Sequence, residues 1–459
     1  MKWAGLIVML AAVLPLSNWL RRNPGKVPMV WMLVGFLPFV MVEFHLLMAV
    51  VSHNYWPGHV SGVDVTVLDA VILALNISLP SSRHRLPFQL PMVLYFLAVL
   101  LSVLQAESPT EALFYPWQLA RMYLVYLTIA RASAVDERVA PALLKGMTAG
   151  LLLEAVLVVW QRVVLGHIEA DGTFAGHSFL GLVSHFTVFP NFALLLAGAR
   201  GYLPGVAVLA GLIVEVLTTS RATIGLAALG FSMLLSVSFL RRLTARKIQV
   251  LSIGLAAIVL LAPLAVSSFE KRFGAERTSD ADFDERVAFE TAAAMILSDH
   301  PLGVGPNHYV VVASKNYNRL AGVPQVSGEN DAFVHNIYRL VAAETGYPGL
   351  ITFLLLLICP IIVAFRCGWQ NRRDQRGDLL IGIGVALLIV YLHSLYEWIF
   401  INFQSQYLFV MEVGLVAGLA EQLGYWRRRP YRQDIRLGTN TPSMSAIRNT
   451  RGLEKRIWR

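Results

Sequence analysis

Gly349 to Phe365 reads GLITFLLLLICPIIVAF: seventeen residues without a charge, closed by Arg366. As a helix rising 1.5 Å per residue, such a run covers most of a bilayer core of roughly 30 Å. Working outward, Leu379–Ile401 and Gln406–Gly424 repeat the pattern toward the C-terminus. Toward the N-terminus lie Trp3–Leu20, Val27–Val51, Asp64–Leu79, Phe88–Gln105, Ala112–Ala130, Val139–Leu165, Ser178–Ala199, Leu203–Thr219, Ala222–Leu240 and Ile248–Ser267. We therefore expect an all-α polytopic bundle of twelve or thirteen spans, the short third one being the least regular. Trp3–Leu20 has no small-residue cleavage site and is followed by Arg21-Arg22, which reads as a retained span.

Composition agrees. The 459 residues are 56% hydrophobic and only 15% charged, with a mean hydropathy of +0.59. A soluble chain carries about a quarter charged residues, so a cytosolic enzyme, a disordered chain and a nucleic-acid binder are all excluded. The net charge of +9 gathers largely in the tail that begins Trp426-Arg427-Arg428-Arg429. Membrane lipid, not nucleic acid, is the expected surrounding. Cys359 and Cys367 sit in or beside one late span and give neither a disulfide framework nor metal-ligand spacing.

Basic residues set the orientation. Arg21, Arg22 and Lys26; Arg83 and Arg85; Arg131 and Arg138; Arg241, Arg242, Arg246 and Lys247; and Arg366, Arg372, Arg373 and Arg376 fall on alternate connections, as does the C-terminal cluster. Lys and Arg collect in cytoplasmic loops. These connections and the C-terminus are therefore expected in the cytoplasm, and the others outside. The expected organisation is an N-terminal membrane bundle over 1–267, an outer loop over 268–348, C-terminal membrane helices over 349–425 and a basic tail over 426–459.

The outer loop is long for a compact protein, and such insertions are usually functional. Asp284–Leu297 has helical spacing, Pro301-Leu302-Gly303-Val304-Gly305 ends it, and a second helix is expected from Asn330-Asp331 to about Thr345, stopped by Gly346. Within it, His335-Asn336 is followed by nine residues and then Gly346, Tyr347, Pro348 and Gly349. Two arginine motifs accompany it: Thr219-Ser220-Arg221-Ala222 at an outer membrane edge, and Arg286 ahead of His300-Pro301-Leu302-Gly303. No internal repeat is visible, which disfavours transporters built from paired halves.

This His-Asn-x9-Gly-x-x-Gly arrangement, with its two arginine motifs, resembles the O-antigen ligase and polymerase family of bacterial surface-polysaccharide assembly, over roughly Leu203–Leu423. The resemblance implies a GT-C-like glycosyltransferase of the bacterial inner membrane. Such an enzyme moves glycan from an undecaprenyl diphosphate carrier to an acceptor hydroxyl at the periplasmic face, without metal or other cofactor. The acceptor would be lipid A-core in a ligase or a second carrier-linked glycan in a polymerase, with protein O-glycosylation a third form. The spacing favours the ligase.

The chemistry suits the residues. A lipid diphosphate leaving group needs fixed cations, and guanidinium binds two phosphate oxygens at once. Arg221 and Arg286 are the candidates, with Arg339 one helical turn from His335 and Arg162 at the outer end of its span as further ones. His335 is the candidate general base, and Asn336 beside it a substrate-binding residue. Gly303, Gly305, Gly346 and Gly349 read as turn and helix-stop residues. Each has a plainer alternative: a lone loop histidine caps or faces water, and arginines at membrane edges anchor by snorkelling. No outer Asp-x-Asp or paired histidines suggest a metal site.

Charges inside the expected spans (Glu43, Asp69, Arg121, Glu154, Glu215, Glu397 and Glu412) must face one another or a wet cavity. His177 and His185 read as helix-packing residues before sugar ligands. Tyr391, Tyr396, Trp398, Phe400 and Phe403 read as an interfacial belt. A flippase would explain spans and buried charges but not the histidine, arginines and glycines of the outer segment.

Overall fold

The computed structural model describes residues 2–80, 86–174, 176–256, 259, 279–324, 333–397 and 401–426. Arg83, Arg85, the start of the outer loop, Asn330-Asp331, Trp398, Phe400 and the tail from Arg427 lie outside the described residues. Among the described residues thirteen longer helices carry the fold: α1 (Lys2–Arg22), α2 (Val27–Val40), α3 (Val67–Ser78), α4 (Gln89–Val103), α5 (Phe114–Val135), α6 (Val139–Val163), α7 (His177–Ala197), α8 (Leu203–Leu217), α9 (Arg221–Arg241), α10 (Ser279–Asp299), α11 (Ile337–Gln370), α12 (Gln375–His393) and α13 (Phe403–Gln422). Residues 245–256 add a further helical stretch. Among the described residues six helices are long and apolar enough to cross a membrane: α6, α7, α9, α11, α12 and α13. Residues 24–40, α3, α4 and α8 are shorter apolar helices.

One part departs from an all-helical reading. The apolar run expected to span from Val27 to Val51 stops being helical at Val40, and His45 takes a left-handed φ of 50°. Leu47–Ser52 (β1) then pairs antiparallel with Gly62–Thr66 (β2), Leu47 opposite Thr66 and Ser52 opposite Gly62. The expected third span accordingly shrinks to the twelve residues of α3. Short apolar runs do not by themselves separate strand from helix.

The core is a close-packed bundle in which α13 lies along α5, α2 along α6, and α7 against α8 and α12. Small residues let backbones approach in such bundles. A Cβ on Gly146 would stand 1.9 Å from the Met32 carbonyl oxygen, and one on Gly35 2.3 Å from that of Leu143.

Most of the charges that fell inside expected spans are paired. Arg121 Nε lies 2.9 Å from Asp69 Oδ2, and Tyr407 Oη donates to Asp69 Oδ1 at 2.7 Å. The same Asp69 closes a capping box with Thr66 at the start of α3. Glu154 accepts from Thr173 N at 2.9 Å and Thr173 Oγ1 at 2.7 Å, which pins the loop before α7 to α6. His185 Nδ1 lies 3.4 Å from Glu215 Oε1, with the His393 ring 5.6 Å from His185.

Candidate active site

One end of the bundle gathers four helix termini. Ser220 caps α9, its Oγ accepting from Thr223 N, and Thr218, Thr219 and Ser220 ahead of Arg221 are buried. Ser178, in the first turn of α7, lies with its hydroxyl 3.4 Å from Ser220 Oγ. Beyond the end of α12 the chain turns, and the Ser394 carbonyl accepts from Ile337 N, the first residue of α11, at 3.0 Å. Tyr338 Oη donates to the Tyr391 carbonyl at 2.8 Å, a second tie between α11 and α12.

The start of α11 differs from expectation. The helix begins at Ile337, with Asn336 as its N-cap, so His335 precedes the helix and does not share a face with Arg339. Asn336 Oδ1 accepts from Tyr338 N at 3.1 Å and Arg339 N at 3.3 Å. Its Nδ2 donates to Glu290 Oε1 on α10 at 3.3 Å. Asn side chains favour this position because they satisfy amide groups that the first helical turn leaves open. The amide of Asn336 is thus occupied by protein and fixes the backbone on which His335 sits.

His335 is largely buried. Burial, and then the positive charge of Arg286, lower its pKa to about 4, so the ring is neutral at pH 7. Arg286, on α10, is exposed and also faces Glu397, in the turn past α12. Burial pushes the Glu397 carboxyl up to about 7, against the opposing pull of Arg286 and of a hydrogen bond with Ser178. Arg286 therefore stands within electrostatic reach of both His335 and Glu397. Ser178 links Glu397 to the Ser220–Arg221 corner. Arg221 itself is exposed at the first position of α9.

The other two arginines are placed differently. Arg339 Nε stands 3.9 Å from Glu290 Oε2 on the exposed side of the α10–α11 contact. Arg162 Nη1 donates to the carbonyls of His167 at 3.2 Å and Ile168 at 2.6 Å, folding onto its own loop. His177 pairs with Glu169 at 3.2 Å in the same loop.

The glycines form a backbone clasp. Gly346 interrupts α11 with φ 67° and ψ −169°, and Gly303 has φ 84°. The segment 301–305 lies against 343–347, with Val304 N donating to Ala343 O at 3.1 Å, Gly305 N to Glu344 O at 3.0 Å and Tyr347 N to Pro301 O at 3.0 Å. Gly305 has φ 99°, and a Cβ there would stand 2.5 Å from that of Ala106. Gly349, one turn past the break, packs on Thr345.

Glu397, Ser178 and Glu290 were not singled out as site residues from sequence. Glu397 was visible only as a charge at the end of an apolar run. Ser178 and Glu290 carry no local signal, because only the packing of α7, α10 and α12 brings them here. Among the described residues no group of three His, Cys, Asp or Glu gathers at metal-ligand geometry.

Residues 206–354 match the family model described as O-antigen ligase. This segment belongs to the O-antigen ligase superfamily. No curated protein matches the chain. The O-antigen ligase segment runs from α8 past the Gly346 break and includes Arg221, Arg286, Gly303, His335 and Asn336; Ser178 and Glu397 come from outside it. The match of this segment and the six long apolar helices support a multi-pass membrane protein of the O-antigen ligase type.

Proposed function

We propose that the protein transfers glycan from an undecaprenyl diphosphate carrier to a hydroxyl of lipid A-core, at the periplasmic face of the bacterial inner membrane. The supporting observation is a neutral His335 beside the Arg286 guanidinium, at the bundle end where the Ser220–Arg221 corner also lies. His335 takes the proton of the acceptor hydroxyl, whose oxygen attacks the anomeric carbon. The bond from that carbon to the diphosphate breaks, its electron pair leaving with the carrier. Attack from the side opposite the leaving group inverts the anomeric centre.

Arg286 and Arg221 hold the diphosphate and offset the charge it gains, a form of stabilisation that is often the largest catalytic contribution. Arg339, released from Glu290, and Arg162 at its loop are lesser members of the same cationic rim. Asn336 acts through His335 as a positioning residue. The guanidinium groups supply the positive charge that other transferases take from a divalent ion.

The test is reconstitution in vesicles with undecaprenyl diphosphate oligosaccharide and lipid A-core, in EDTA. Product is expected, and His335→Ala should lose roughly 10²–10⁴-fold in turnover, the usual worth of a general base, while still binding the carrier. Arg221→Ala and Arg286→Ala should weaken both carrier binding and turnover. Loss of product on chelation overturns the metal-free chemistry, and unaltered kinetics in both arginine variants overturns the diphosphate assignment.

A further inference from the structure

The β1–β2 connection, residues 53–61, lies outside the O-antigen ligase segment yet reaches its catalytic end. The loop is held rigid. Asn307 Oδ1 accepts from Val60 N at 2.8 Å, and its Nδ2 donates to Val60 O at 2.7 Å and Glu111 O at 3.1 Å. Trp56 Nε1 donates to Asn307 O at 3.2 Å, and a Cβ on Gly58 would strike that indole nitrogen at 2.3 Å. At the inner end, the His59 ring packs 5.4 Å from Tyr115 and 6.0 Å from Phe333, two residues before His335.

The outer end is aromatic and open. Tyr55 is 94% exposed. Next to it, the Trp56 ring lies 4.9 Å from His308 and 6.0 Å from His53. Polar groups fringe these rings: His53 Nδ1 pairs with Glu111 Oε1 at 3.0 Å, and Lys315 pairs with Glu107. Three residues separate Tyr55 from His59, so Tyr55 stands within about 35 Å of His335. That is the length of a short oligosaccharide.

We propose that Tyr55, with Trp56 and the His53–Glu111 and Glu107–Lys315 pairs, forms a shelf that binds the glycan being joined at His335. A pyranose presents a flat C–H face that suits an exposed aromatic ring, and hydroxyls at its edge that need charged or amide partners. The rigid loop presents both kinds of group without having to be ordered on binding, which favours affinity. This inference rests on the transferase reading, and the glycan is the carrier-linked donor chain or the acceptor core.

The test uses the full-length His335→Ala protein in nanodiscs, so that nothing is consumed. Binding is measured by saturation-transfer NMR and calorimetry. One probe is the repeat oligosaccharide freed from its carrier; the other is delipidated core oligosaccharide. At least one should bind, with Tyr55→Ala weakening it about tenfold, a typical scale for one aromatic contact, and Tyr55→Phe retaining it. Which probe responds identifies the source. In the otherwise wild-type protein, Tyr55→Ala should raise KM for that partner and leave kcat in place. Tyr55 is too exposed for its loss to unfold the chain, and a Trp56→Phe variant repeats the test with the indole hydrogen bond removed. The shelf is overturned if neither probe binding responds to Tyr55→Ala, or if the variant alters only association with protein-free lipid vesicles. Because binding is read without turnover, failure of the shelf and failure of the transfer reaction give different results.

Discussion

Gly303 and Gly346 meet backbone to backbone, each in the left-handed region: a Cβ on Gly303 would stand 2.2 Å from the Glu344 carbonyl oxygen, and one on Gly346 2.3 Å from that of Pro301. The clasp joins the segment after α10 to the break in α11 and so fixes the platform on which His335 rests. Gly346→Ala should destabilise by about 1–3 kcal/mol from backbone strain alone, with further loss from the clash. Melting in detergent and transfer activity should both fall. Gly25→Ala, where nothing lies within 4 Å, should leave both unchanged.

Asn336 caps α11 and ties it to Glu290. Asn336→Ala should cost about 1 kcal/mol of stability through loss of the cap. It should lower kcat several-fold while leaving carrier affinity close to wild type, because no substrate contact is removed. Asn336→Ser, which keeps an acceptor at the capping position, should recover most of the stability. A large fall in carrier affinity would instead assign the amide to substrate.

The pKa of His335, about 4 against an ordinary 6.5, fixes the pH response. In the proposed reaction the neutral ring is the base, so kcat/KM should rise with pH through about 4 and level off above it. Arg286→Ala removes the smaller of the two causes, and the acid limb should move upward toward 6.5 without reaching it. Between pH 6.5 and 4 the unfolded chain binds a proton at this residue that the folded chain does not. The contribution of His335 to stability therefore falls as pH drops through that window. A pH–rate profile and melting curves at matched pH check both.

Asp69 holds Arg121, Tyr407 and the start of α3 together. Asp69→Leu leaves a buried guanidinium without its carboxylate and should cost about 3–5 kcal/mol. Arg121→Met alone should also destabilise, and adding Asp69→Leu to it should cost much less than the two separate losses summed. Thermal unfolding of the four proteins in one detergent gives the coupling energy directly.

The helical bundle was legible because long uncharged runs at membrane length leave little choice of structure. The Arg221, Arg286 and His335 motifs were legible as residue types at fixed spacing. The hairpin was not, since Leu47–Ser52 continues an apolar run begun in α2 and only pairing with Gly62–Thr66 makes it a strand. The start of α11 was misplaced because a capping Asn five residues further on competes with Asn330-Asp331 as a helix start. The places of Glu397 and Ser178 in the candidate site are not legible for another reason. Their significance comes from where α12 ends and α7 begins, which no local pattern encodes.

The proposed catalytic end draws Ser178, the Ser220–Arg221 corner, Arg286, His335 and Glu397 from segments spread across nearly half of the polypeptide. A ribosome must therefore thread almost all of the chain into the bilayer before these groups can meet. On the proposed mechanism, until the turn bearing Glu397 has been delivered the nascent protein has no competent chemistry to expend on passing carrier lipid, and biogenesis itself then acts as a safeguard against premature reaction.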